Sequence, residues 1–217
     1  MIKEAEWQEG DILRQPELGQ TLRRIQTAGR EGFYGGETAA LLLAEIEAGG
    51  ARMRQEDLDA YAAQWRDPVM STYLDYQVVG MGPSSSGGIA LAQLLGMAEQ
   101  VDFSEMGWQS AETVHWMTEL MRRVYADRAA HLGDPDFWPV PQQALLDPAY
   151  LRSRVSRISA EKATPSAEVK EMFWVYPESE ETTHYSIIDA AGHAVSVTTT
   201  INSSYGSKTF VHGAASC

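Results

Sequence analysis

The sequence predicts an α+β fold, helix-rich over most of its length and ending in a β-hairpin. Three observations predict it. Apolar residues recur at helical spacing in several stretches before residue 160. A short β-rich pair interrupts them at residues 69–79, and a second, longer β-rich pair closes the chain. Helices first and a hairpin last suit a layered domain in which the two kinds of element segregate.

Taken in order, Leu18, Leu22 and Ile25 follow Pro16 at helical intervals, and Gly29 and Gly32 stop the pattern. A second helix is expected over residues 37–48, ended by Gly49-Gly50. A third starts near Gln55, with Leu58, Tyr61 and Ala62 as its buried face. Residues 69–74 and 76–79 read as two short strands joined at Asp75. Residues 83–88 form a loop and residues 89–99 a helix. The longest helical stretch is 111–132, where Val114, Met117, Leu120, Met121 and Val124 make an apolar face. Asp134-Pro135-Asp136 ends it, and a short helix follows at 148–158. A Pro- and Glu-bearing linker then leads to strands around 185–188 and 194–201, joined by the tight Asp189-Ala190-Ala191-Gly192-His193 connection.

Composition narrows the function classes. A hydrophobic share of 44% in 217 residues is enough for a sizeable core. The net charge of −13 argues against nucleic-acid binding, which needs basic patches against phosphate. No apolar run approaches the ~20 residues that span a bilayer. The first residues, Met1-Ile2-Lys3-Glu4-Ala5-Glu6-Trp7, lack the apolar centre of a signal peptide. The single cysteine, Cys217, excludes a disulfide within the chain and says nothing of redox compartment.

The stretch that carries chemistry is Glu181-Thr182-Thr183-His184-Tyr185-Ser186-Ile187-Ile188. It sets a hydroxyl between an acidic approach, Tyr176-Pro177-Glu178-Ser179-Glu180-Glu181, and a strand. A Thr at the head of a strand suits an enzyme that cuts its own backbone and then works with the new N-terminus. The hydroxyl is then the nucleophile, and the freed amine, which as an ordinary α-amino group titrates at about 7.7–8.0, the base. The plainer reading is an ordinary hairpin with Thr on an exposed face, because Thr is common in strands.

Six segments, in order, shift that balance: Asp57-Leu58-Asp59-Ala60-Tyr61, Pro83-Ser84-Ser85-Ser86-Gly87-Gly88-Ile89, Tyr125-Ala126-Asp127-Arg128, Leu132-Gly133-Asp134-Pro135-Asp136-Phe137, Thr182-Thr183-His184-Tyr185-Ser186 and Asn202-Ser203-Ser204-Tyr205-Gly206-Ser207. With them the chain resembles the gamma-glutamyltransferase (gamma-glutamyltranspeptidase) family over nearly its whole length. The resemblance implies part of the αββα sandwich of an N-terminal-nucleophile (Ntn) hydrolase, made as a precursor that cleaves itself between Glu181 and Thr182. Residues 1–181 then correspond to the end of the large subunit and 182–217 to the start of the small one, as one incomplete domain. Thr182 is the implied nucleophile. Thr200 matches the Thr whose hydroxyl assists it, and Asn202 matches the Asn that holds the substrate's α-amino or carboxylate end. An antiparallel return of the second strand is expected to bring both back beside Thr182, and their even spacing puts them on one face.

The resemblance implies a γ-glutamyl substrate such as glutathione and no metal or organic cofactor. It also implies two subunits from one precursor and a periplasmic or extracellular home, although this chain carries no export signal. Family members are more than twice as long. By resemblance, the arginine for the substrate carboxylate lies ahead of Met1. The serine pair, the acidic residue for the substrate amine and the Gly-Gly oxyanion hole lie beyond Cys217. The chain is therefore expected to be an incomplete and inactive fragment. The alternatives are a non-catalytic remnant or interaction module and, among enzymes, a β-lactam or glutaryl acylase of the same fold.

Other features read more plainly. Ser84-Ser85-Ser86-Gly87-Gly88 ahead of a helix can cradle an anion, but a capped helix with glycines for close packing explains it as well. His115 and His131 are too far apart on one helix for a ligand pair, and structural roles are expected. His184 shares strand parity with Thr182 and is expected near the site without being the base. Asp127, Arg128, Asp134 and Asp136 read as surface ion pairs and a helix stop. Trp108, Trp116 and Trp138 read as core or interface residues.

Overall fold

A computed structural model describes residues 8–169, 182–201 and 206–214, with the backbone alone at Thr182. The chain divides into two compact units, residues 1–63 with 177–217, and residues 64–176.

In the first unit, α1 (Pro16–Ala28), α2 (Glu31–Tyr34), α3 (Gly36–Ala48) and α4 (Gln55–Ala60) precede the hairpin strands. Pro16 opens α1, where its fixed φ suits the first helical turn and its missing N–H costs nothing. Arg24 Nη2 pairs with Glu37 Oε1 at 2.9 Å, tying α1 to α3. Arg30 donates to the Leu58 carbonyl at 2.9 Å and so holds α4. Leu58 is buried as expected, but α4 stops before Tyr61, which is exposed and stacks on Tyr34 with ring centroids 5.6 Å apart. The buried residue of α1 is Thr21, whose hydroxyl donates to the Ala214 carbonyl at 2.9 Å, while Leu22 stays exposed.

The second unit opens with β1 (Val69–Tyr73) and β2 (Tyr76–Gly80), an antiparallel pair in which Tyr73 faces Tyr76 across a two-residue turn. Against it stand α5 (Gly87–Ala98), α6 (Ala111–His131), α7 (Gln142–Leu145) and α8 (Pro148–Val155). Ser110 and Asp147 cap α6 and α8 by accepting hydrogen bonds from first-turn amides. Val69, Ile89, Ala92 and Leu145 form one buried cluster, and Met97, Ala98, Leu120, Val124 and Leu151 another. The glycines at the β2–α5 junction serve close approach. A Cβ on Gly88 would lie 2.3 Å from the Met81 carbonyl oxygen, and one on Gly80 would lie 2.7 Å from Gly88 Cα.

Three sequence expectations are corrected. The buried face of α6 includes Leu120 and Val124 but not Val114 or Met121, which are exposed. In their place Glu119, Arg123 and Asp127, at intervals of four, face inward as partnered charges. Asp127 is thus no surface residue. It accepts from Gln93 Nε2 at 3.0 Å, and Arg154 Nη2 lies 2.8 Å away as an ion pair off the hydrogen-bond line. Asp136 does pair at the surface, with Arg66 Nη1 at 2.8 Å. Of the tryptophans, Trp108 and Trp138 are not core residues, which leaves the interface reading for them. Trp108 is 90% exposed and Trp138 half-exposed, its indole N–H donating to the His131 carbonyl at 3.0 Å. Aromatic size alone does not bury a residue when its neighbours are turn residues, as around Trp108.

Candidate active site

The hairpin consists of β3 (Thr182–Ile188) and β4 (Ala194–Thr200), paired antiparallel. The ladder begins three residues earlier than Tyr185, with Thr182 itself as its first residue. Asp189 explains why the turn closes where it does. Its carboxylate accepts the amides of Ala191 and His193, each at 2.9 Å, and Gly192 takes the positive φ of +86° that the reversal needs. The bond from His193, with these amides, holds the Asp189 carboxyl below the usual carboxylate range. That end of the hairpin is remote in register from Thr182.

The register sets Thr182 directly opposite Thr200, His184 opposite Thr198 and Ser186 opposite Ser196. Even-numbered positions 182–186 and 196–200 therefore stack hydroxyl-bearing residues around His184, while the odd positions Tyr185, Ile187, Val195 and Val197 are mostly apolar and Thr183 pairs with Thr199. His184 is built into the hydroxyl face. Its Nδ1 lies 2.8 Å from Thr198 Oγ1, and its Nε2 lies 3.1 Å from Ser196 Oγ and 3.4 Å from Ser186 Oγ. With both ring nitrogens engaged, the imidazole holds the register position next to the Thr182–Thr200 pair. Sequence parity anticipated the face but not these three partners, because only the cross-strand register supplies Thr198 and Ser196. Glu181 and Asn202 lie outside the described residues.

The remaining candidates lie in the second unit. Ser86 does not cap α5; its hydroxyl pairs with Arg128 Nε at 2.8 Å, and Ser85 Oγ takes the Gly87 amide at 3.2 Å. His115 Nε2 meets the Ser159 carbonyl at 2.7 Å, a structural contact.

Known proteins resemble this chain along almost all of it. The family model described as Gamma-glutamyltranspeptidase matches residues 1–214. A glutathione hydrolase proenzyme of Pseudomonas sp. (strain A14) is 42% identical over 98% of this chain, which spans 37% of that relative. An acylase ACY 1 proenzyme of Pseudomonas sp. (strain V22) is 34% identical over 92% of this chain and 35% of its own length. The crystal structure of Helicobacter pylori gamma-glutamyltranspeptidase superposes with a TM-score of 0.72 at 38% identity, covering 76% of this chain and 47% of that one. The mixed helix-and-strand architecture is thus a partial α+β fold of the Ntn-hydrolase kind, and the chain spans little more than a third of the curated relatives it matches. With the family model matched over residues 1–214 and a relative 42% identical over 98% of it, the chain belongs to the gamma-glutamyltranspeptidase family.

Proposed function

We propose that the whole protein is a self-processing γ-glutamyl hydrolase or transferase with Thr182 as its nucleophile. The observation that carries this reading is the register that makes Thr182 the first residue of β3 and the cross-strand partner of Thr200. A nucleophile at the start of a strand has a backbone held by the ladder on one side and a scissile bond on the other. The neighbouring strand supplies a second hydroxyl residue at the same level.

In the precursor the Thr182 hydroxyl oxygen attacks the Glu181 carbonyl carbon. The new C–O bond forms as the Glu181–Thr182 C–N bond breaks, and the hydroxyl proton ends on the departing Thr182 amine. Water then hydrolyses the ester, releasing the Glu181 carboxylate and restoring the Thr182 hydroxyl. The β-branched side chain limits χ1 and narrows the directions Oγ can take. In turnover the freed amine accepts the hydroxyl proton while Oγ attacks the γ-glutamyl amide carbon. The proton passes to the leaving amine, and water or an amino acid's amine takes the glutamyl group from the ester. General-base assistance of this type contributes about 10²–10⁴-fold. Thr200 assists the nucleophile and Asn202 holds the α-amino or carboxylate end of the substrate. Residues 1–181 supply the end of the large subunit and 182–217 the start of the small one. This chain by itself carries too little of the site to turn over, and the intact protein works outside the cytoplasm, in line with its family.

A second reading, an acylase acting on β-lactam or glutaryl amides, draws on the 34% identity to the acylase ACY 1 proenzyme. It keeps Thr182 and its chemistry and changes only the acyl group. Mass spectrometry of the purified chain tests the shared step. A product beginning at Thr182, absent from Thr182→Ala, is expected. Cleavage at another bond, or cleavage that survives the substitution, removes Thr182 from this role.

A further inference from the structure

The register that makes Thr200 the partner of Thr182 is pinned unequally along the hairpin. At the turn, the Asp189 carboxylate takes the amides of Ala191 and His193, and the Asp189 amide donates to the His193 carbonyl at 3.0 Å. Beyond it Ile187 pairs with Val195, and Tyr185 with Val197. The open end sets Thr182 and Thr183 against the run Thr198, Thr199 and Thr200. A stretch polar on both faces specifies its pairing weakly. A single bulge between that end and the turn shifts it by one residue.

His184 removes that ambiguity. Its Nδ1 meets the hydroxyl of Thr198, directly across the ladder, at 2.8 Å. Its Nε2 meets the hydroxyl of Ser196, two residues nearer the turn, at 3.1 Å. A one-residue shift brings Thr199 or Val197 opposite His184, and correspondingly Val197 or Val195 into the place of Ser196. In either direction at least one ring nitrogen loses its β4 hydroxyl to a valine. Each such bond is worth about 2–10-fold in an equilibrium. Only the Thr183–Thr199 pair separates His184 and Thr198 from Thr182 and Thr200. We infer that His184 is a positioning residue for self-cleavage, whose bonds to Thr198 and Ser196 hold Thr200 level with Thr182. The inference rests on the reading of Thr182 as nucleophile and Thr200 as its helper. His184 acts through Thr200 and needs no contact with the scissile bond.

The test uses the 217-residue chain, His184→Phe and the Ser196→Ala/Thr198→Val double variant, since Phe and Val suit strands and keep the ladder. Mass spectrometry gives the rate at which the Thr182 product appears, with each change also made in a Thr200→Ala background. Cross-strand backbone NOEs between residues 182 and 200 report the register in Thr182→Ala chains, which stay uncleaved. Both variants are expected to cleave at least about twofold more slowly and to weaken those NOEs. In the Thr200→Ala background the same changes should slow cleavage no further, the non-additivity of residues that act as one unit. Ser186→Ala, which removes a partner on His184's own strand, should keep both the rate and the NOEs. An unchanged rate in either variant, slowing with the NOEs intact, or slowing that multiplies with that of Thr200→Ala overturns the inference and leaves the self-cleavage reading standing. So does a Ser186→Ala defect as deep as the double variant's. If the unaltered chain yields no Thr182 product at all, the self-cleavage reading falls, and the part of His184 in processing falls with it.

Discussion

Glu119 and Arg123, one turn apart on α6, meet through a 2.6 Å bond between Oε2 and Nη1, with neither side chain open to solvent. Burial pushes the Glu119 carboxyl up. Hydrogen bonds from Thr164 and Arg123, with the nearby Arg122 charge, outweigh it and bring the group down to about 2.

The sign of the pH dependence follows. A carboxyl whose folded value lies below its unfolded one contributes stability that is full above the unfolded value and lost as pH falls through the folded one. For Glu119 that window runs from 4.5 down to about 2, and the shift corresponds to about 3 kcal/mol. Asp127 works in the opposite direction, since burial, only partly offset by Arg154, raises it. Glu119→Gln is therefore expected to lose about 3 kcal/mol at pH 7 and to fall less steeply than the unaltered chain between pH 4.5 and 2. Urea unfolding at pH 7, 4.5 and 2.5 measures both slopes. Parallel losses in the two proteins would show that Glu119 is not the titrating group.

A Cβ at Gly88 meets the Met81 carbonyl oxygen, whereas one at Gly87 meets nothing closer than Ser85 Oγ at 3.5 Å. Gly88→Ala should then cost about 1–3 kcal/mol through overpacking, and Gly87→Ala much less. Thermal unfolding of the two variants decides it. Equal midpoints would mean that the β2–α5 junction relaxes freely.

Thr200 stands opposite Thr182, so Thr200→Ala is expected to slow self-cleavage while leaving the ladder in place. The loss should not exceed about 10²–10⁴-fold, the range of assistance by one positioned group. Asn202→Ala should leave processing largely intact and weaken substrate binding in the whole protein. A processing block in Asn202→Ala as deep as in Thr200→Ala would require the two roles to be exchanged.

Release of a chromophore from a γ-glutamyl anilide by the 217-residue chain should not rise above the Thr182→Ala blank. Loss of a single oxyanion donor costs other hydrolases about 10²–10³ in turnover. By family resemblance that whole set lies in the part of its relatives this chain does not span. Robust turnover would show the chain to be sufficient by itself.

Much of the architecture was legible because the signals were local. Pro16 and Gly49-Gly50 bracket helices through backbone conformation, which depends on few neighbours. The hairpin was legible through β-branched residues and Asp189, and the Thr at the head of its first strand with it. The α6 face was misread for a different reason. Periodicity counts apolar residues, and the buried stripe at Glu119, Arg123 and Asp127 is charged.

By itself the sequence determined the helix-then-hairpin order and the family motifs, because turn residues and motif spacing are written in neighbouring positions. Tertiary structure alone decided the residue-by-residue register that pairs Thr182 with Thr200, that His184 joins Thr198 and Ser196, and that Glu119 and Arg123 are buried with Thr164 between them. Register and the pairing of interior charges join residues distant in sequence, and a buried ion finds its partner only when the chain packs.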